Sequence, residues 1–202
     1  LNLRRVANLA GIGIGLAGAV QWYNQTLVGA SRPYAYEVPA LLGPKKLYLI
    51  DRVPGTPDEV QQFADSVRRI GHFHGFNPDW LMACMWSESK FDHQVENQKG
   101  SGATGLIQFM PFVAKELGIS VGKLKAMSAI DQLEYVERYM ARMINRYGVP
   151  TTPARLYLMI LWPKASNKPD DYVLYRWPST AYRQNAGLDE NKDRRVTVTD
   201  IE

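Results

Sequence analysis

The chain has 202 residues, 46% hydrophobic and 22% charged, a balance that suits one globular domain with room for an extension and excludes a wholly disordered polymer. Lys plus Arg outnumber Asp plus Glu by 24 to 20, too slight an excess to select nucleic acid, membrane or cell wall as a partner by charge alone. The single cysteine, Cys84, excludes an internal disulfide, and His72, His74 and His93 lack the neighbours that a structural zinc site needs.

The chain opens with "LNLRRVANLAGIGIGLAGAVQWY", two arginines followed by small and apolar residues. Asn8 interrupts the run early, so the unbroken part extends only from Leu9 to Val20, short of the roughly 18 residues of a spanning helix. Three readings stand: an export signal, for which Ala17-Gly18-Ala19 resembles a cleavage site; a membrane-interacting segment; or an arm that docks the chain into a larger assembly. Residues 24–55 are rich in Pro and Gly and read as an extended connection. Residues 1–55 are therefore set apart from the domain that follows.

Helix signals begin at Thr56. "TPDEV" offers Thr56 as N-cap, Pro57 as first residue and Glu59 as the partner of a capping box, with Val60, Phe63, Val67 and Ile70 on one face. "NPDW" repeats the logic with Asn77 and Pro78, and the apolar residues that follow go nearly all round, which predicts a central buried helix. Pro111 and Gly118 bracket another helix. Ser128 with Asp131 starts a long amphipathic one ending at Gly148, and Thr152-Pro153 starts the last, which stops before Pro163. With no strand pattern of comparable quality between 56 and 162, the fold class is all-α.

The buried helix delivers a carboxylate. In "MACMWSESKF", Glu88 falls in the last turn, where the negative end of the helix dipole and desolvation both favour the protonated acid. A protonated carboxylic acid in an apolar wall is what general acid catalysis on a glycosidic bond requires. A solvated glutamate at a helix end is the bland alternative. Asp92 would share a face with Glu88, about 5–6 Å away between Cβ atoms, if the helix continued. Next comes "GSGATGLIQFMP", in which Gly100, Gly102 and Gly105 let the backbone approach a ligand closely and Gln108 offers both an amide donor and an acceptor.

"ESKF", then "GATGLIQFMP", then "AKELG" resembles the catalytic region of the soluble lytic transglycosylases, a family with a goose-lysozyme-like fold. The resemblance spans roughly residues 56–187 and is densest over 86–118. It implies a lysozyme-like helical domain over 56–188, with an extended N-terminal arm before it and a short loop-rich tail over 189–202. It further implies that Glu88 is the single catalytic acid and base, that Ser89 contacts substrate, that Gly105, Leu106 and Ile107 line the glycan groove, and that Gln108 hydrogen-bonds the sugar. The reaction implied is cleavage of the β-1,4 bond between MurNAc and GlcNAc of peptidoglycan with closure of a 1,6-anhydro ring, without a catalytic cofactor. The partner implied is the glycan strand, with no nucleic acid expected, and the location is the periplasm or cell envelope, or alternatively a virion.

The family's third motif, Ala-Tyr-Asn-Ala-Gly, supplies a tyrosine that bonds the catalytic Glu. Here the nearest text is "AYRQNAG", residues 181–187, which makes Tyr182 and Asn185 the candidates and leaves Tyr157, in "RLYLMILWP", as core. Further on, "DENKDRRVTVTD" places Asp189, Asn191, Asp193, Arg195 (through its carbonyl), Thr197 and Asp200 at the ligand positions of a calcium loop. Arg194 replaces the turn glycine and Asp200 stands where Glu is usual, so a polar turn is the alternative. Two other functional readings accompany the leading one: a goose-type lysozyme-like hydrolase, and a catalytically silent glycan-binding or assembly component of a virion or injection apparatus.

Overall fold

Helix α1 (Pro57–His74) starts as the capping residues dictate: Thr56 Oγ accepts the Glu59 N–H, and the Glu59 carboxylate accepts the Thr56 N–H at 2.8 Å. The computed structural model describes residues 46–97 and 100–201. The three readings of the N-terminal apolar segment lie outside the described residues. The end of the expected linker does pack: Leu47 and Val53 are buried, and the Tyr48 N–H donates to Asp79 at 2.8 Å.

Helix α2 (Pro78–Ser89), capped by Asn77, buries Leu81, Met82, Ala83, Cys84 and Met85. It packs against both α1 and α6 (Pro153–Leu161), the position its all-round apolar sequence requires. The long amphipathic helix α5 (Ala129–Tyr147) lies along α1, burying Leu133, Val136, Met140 and Met143. A paired Arg69–Glu137 contact, 2.8 Å at each nitrogen, ties α1 to α5. Between α2 and α5 run the short helices α3 (Pro111–Glu116) and α4 (Val121–Ala126), the latter not anticipated from the sequence.

The chain past α6 forms strand β1 (Val173–Arg176), helix α7 (Thr180–Asn185) and strand β2 (Arg195–Thr197). The strands pair antiparallel, with Tyr175 opposite Val196 and an irregularity between Val173 and Tyr175. The tail expected to be loop-rich thus contributes a strand. Strands of three and four residues give too little alternation to be read as a period. The sheet is a small addition to an otherwise helical architecture, and the fold class is all-α. Among the described residues no helix is long and apolar enough to cross a membrane.

The turn after α2 is held from beneath by a buried polar side chain. Gln132 of α5, completely buried, accepts the Leu106 N–H at 3.1 Å and donates to the carbonyls of His93 (2.6 Å) and Leu124 (2.8 Å). Gly105 has φ +81°, and a Cβ there would stand 2.5 Å from Gln132 Oε1. Gly118 has nearly the same φ, +80°, but open space around it. Gly118→Ala is expected to cost about 1 kcal/mol, the strain of a left-handed alanine. Gly105→Ala should cost about 3 kcal/mol or more, because a collision and a disturbed buried hydrogen bond are added. Urea unfolding of the two variants checks this; equal losses would refute the wedge.

Candidate active site

Helix α2 stops abruptly one residue after Glu88. Lys90 and Phe91 both adopt left-handed backbone conformations, φ 56° and 64°, which cost non-glycine residues on the order of 1–3 kcal/mol each. Phe91 offsets this by burying its ring against Phe63 (centroids 6.0 Å apart) and Trp86 (5.6 Å). Lys90 caps the helix twice, its backbone N–H donating to the Trp86 carbonyl at 3.1 Å and its Nζ to the same oxygen at 2.9 Å. The reversal takes Asp92 off the helix face of Glu88, and Asp92 accepts the Gln94 N–H at 2.8 Å in a tight turn of its own.

Glu88 is enclosed by protein on most sides but keeps an accessible edge. Burial pushes its carboxyl up to about 7 from an ordinary value of 4.5, opposed first by the Tyr157 hydroxyl and then by the positive charge of Lys90. Among the described residues no carboxylate joins Tyr157 and Lys90 in setting its proton affinity. Tyr157, on α6, lies against the Glu88 carboxyl, in a contact looser than a well-formed hydrogen bond, and its buried hydroxyl has no other partner among the described residues. Tyr157 was expected to be core; it is buried, and it is also the polar neighbour of Glu88.

Tyr182 does not take that place. Its hydroxyl donates to Asp189 at 2.5 Å, within the segment that carries α7, and this bond holds the Asp189 carboxyl below its ordinary value. Asn185 is buried and caps back onto the Ala181 carbonyl at 2.8 Å. The two additional residues in "AYRQNAG" accompany this different role.

The other expected contacts are largely internal. Ser89, expected to meet substrate, is buried and donates to the carbonyls of Met85 and Leu106, both at 3.0 Å, clamping the turn onto α2. Leu106 and Ile107, expected to line a groove, are core residues, because the turn directs their apolar side chains inward. Gly105 is buried against Gln132, with its N–H donating to the Val95 carbonyl at 3.0 Å. Gln108, itself left-handed at φ 53°, spends its amide hydrogens on the Val95 and Gly105 carbonyls at 3.3 and 3.2 Å, while its Oε1 accepts no hydrogen bond among the described residues.

Sequence reasoning missed Gln132 and the pairing of Tyr157 with Glu88. A signal for each was present: a polar group on an otherwise apolar helix face, the same anomaly that marked Glu88.

In the tail, the side-chain oxygens of Asp189, Asn191, Asp193 and Asp200 each accept backbone N–H groups of the loop, and Asp193 also pairs with Arg195 at 2.8 Å. Thr197 Oγ1 donates to Asp200 at 2.6 Å. Among the described residues no three His, Cys, Asp or Glu side chains come together in a way that could hold a metal ion.

Residues 67–161 match the family model described as Transglycosylase SLT domain. The matched stretch is just under half of the chain and runs from within α1 to the last residue of α6. It contains Glu88, the glycine turn, Gln132 and Tyr157, and leaves out β1, α7 and β2. The matched helical core is thus similar to an SLT transglycosylase domain, and the mostly helical structure agrees with the all-α, lysozyme-like fold of that family. A domain of this kind indicates activity of the lytic transglycosylase, peptidoglycan-cleaving type. Comparison with curated proteins returns no match.

The raised proton affinity of Glu88 has a consequence for stability. The folded state holds this proton more tightly than the unfolded chain, so stability falls as pH rises from about 4.5 and levels off above about 7. The full loss is on the order of 3 kcal/mol. Glu88→Gln, neutral at every pH, should match the wild type at pH 4 and exceed it at pH 8, by up to about that amount. Thermal unfolding at the two pH values checks this; a variant equally stable or weaker at pH 8 would contradict the assignment.

Proposed function

We propose that the chain is a peptidoglycan lytic transglycosylase in which Glu88 is the single acid and base. The observation that carries this reading is the environment of Glu88: a carboxyl at the end of a buried helix, open along one edge, with a proton affinity near neutrality and no second carboxylate acting on it among the described residues. Glycosidases that activate water usually employ two carboxyl groups. A lone group that is protonated about half the time at neutral pH can donate a proton and then take one back.

In the reaction, protonated Glu88 gives its proton to the glycosidic oxygen between MurNAc and GlcNAc as the bond to the anomeric carbon breaks. The muramyl acetamido group supports the positive charge left on that carbon. The sugar's own C6 hydroxyl then attacks it, and its proton passes to the Glu88 carboxylate. The products are a 1,6-anhydro-MurNAc end and a GlcNAc end carrying a new hydroxyl. No water is consumed, and Glu88 returns to its starting state. Tyr157 steadies the carboxylate between the two proton transfers, and Gln108 Oε1 is the acceptor for a sugar donor. The substrate sets the place of action at the cell envelope, reached from the periplasm or delivered by a virion.

Digestion of purified peptidoglycan by wild type and Glu88→Gln, followed by mass analysis of the muropeptides, tests the mechanism. Wild type should release fragments with anhydro ends, one water lighter than hydrolysed ends, and Glu88→Gln should fall by at least about a hundredfold. Hydrolysed ends would convert the reading to a lysozyme. No cleavage by wild type would leave a silent glycan-binding component, and equal cleavage by both proteins would remove Glu88 from the mechanism.

A further inference from the structure

Strand β1 brings in a second buried tyrosine that interacts with the first. Tyr175, beyond the family-matched stretch, is 3% exposed, and its ring meets Trp162 edge-on with centroids 5.4 Å apart. It is near enough to Tyr157 for a charge on one to be felt by the other. Among the described residues neither hydroxyl has a fully formed hydrogen bond to protein. A phenylalanine would fill the position equally well by packing, and a buried hydroxyl without a partner is costly. Two such hydroxyls in succession, ending at the carboxyl of Glu88, call for a common explanation.

We propose that Tyr175 is a positioning residue of the active site: its hydroxyl, through one enclosed water molecule, orients the Tyr157 O–H so that it donates to the Glu88 carboxylate. The two hydroxyls supply the two polar partners that an enclosed water requires at the least. The catalytic helix is thereby coupled to an element that lies outside the family-matched core. The catalytic consequence rests on the function proposed above, but the hydrogen-bonded link does not.

The ionisable groups around Glu88 are few. Cys84 and Lys90 come from α2, Tyr157 from α6 and Tyr139 from α5, with Tyr175 acting through Tyr157. Burial raises Cys84, Tyr139, Tyr157 and Tyr175 above their ordinary values and lowers Lys90 below its own, opposed by the charge of Glu88, while it pushes Glu88 up to about 7. Loss of a donor to the carboxylate must raise its proton affinity.

Carbon-13 NMR titration of the Glu88 carboxyl, assigned by its disappearance in Glu88→Gln, reads this directly without any substrate. Tyr157→Phe should move the midpoint up by about one pH unit and Tyr175→Phe by about half a unit, in line with the loss of one modest hydrogen bond and the loosening of it. Tyr175→Phe should add nothing in the Tyr157→Phe background. With peptidoglycan as substrate, Tyr175→Phe should lower kcat about threefold, leave KM unchanged and move the alkaline limb of kcat/KM up by the same half unit. Its Tm should change little, since the lost oxygen has no direct protein partner among the described residues.

An unmoved Glu88 midpoint in Tyr175→Phe, or an equal shift with and without Tyr157, would overturn the link. An inactive wild type would overturn the lytic reading and leave the titration to decide the link.

Discussion

The arrangement depends on holding one carboxyl where water alone would not put it. Glu88 lies at the end of a helix most of whose other side chains are buried, at the negative end of that helix, facing a second apolar helix. Each of these placements disfavours the ionised form. Proton affinity near neutrality is thus a product of position, and the surrounding structure serves to keep that position from relaxing. The abrupt exit after Ser89 does this first. Two consecutive left-handed residues are strained, and the burial of Phe91 between Phe63 and Trp86 is what makes the reversal hold.

The glycine turn is the second support. Its backbone groups are met from two sides: Ser89 reaches from α2 to the Leu106 carbonyl, and Gln132 reaches from α5 to the Leu106 N–H. Gln132 then uses its amide hydrogens to fix the His93 and Leu124 carbonyls, so one buried side chain locks three separate segments together. A fully satisfied polar group of this kind specifies a geometry more sharply than apolar packing does. The need for Gly at 105 follows from Gln132 as much as from the left-handed backbone, since no Cβ fits beside its oxygen. The residues around Glu88 thus divide into those that hold the wall and those that face the opening.

The sequence made the wall legible and blurred that division. Caps written in local spacing, Thr56 with Glu59, Asn77 with Pro78 and Ser128 with Asp131, correspond directly to helix starts, because a cap is a contact within three residues. Glu88 stood out because a charge in an apolar run contradicts its surroundings. Contacts across long separations left fainter marks. Ser89, Leu106 and Ile107 sit in a motif beside the acid, but their side chains turn inward, a direction fixed by the fold around them. Tyr157 meets Glu88 from 69 positions later in the chain. Spacing near Tyr182 suggested a partner for Glu88, whereas the hydroxyl closes on Asp189 seven residues away.

A lone carboxyl with one loosely held tyrosine beside it has a chemical logic. A group that must first give a proton and then take it back is poorly served by a strong, permanent donor, which would hold it ionised and weaken it as an acid. A strong carboxylate neighbour would bias it the other way and supply a base for water. The contact with Tyr157 lies between these extremes: it lowers the proton affinity that burial raises, without cancelling the rise. The strength of that contact is then the variable that sets how evenly Glu88 serves as acid and as base, and it is governed by whatever holds the far side of the tyrosine hydroxyl. In this chain a second buried hydroxyl, that of Tyr175 on β1, interacts with Tyr157, so the proposed link would let a strand outside the family-matched stretch tune the chemistry of Glu88.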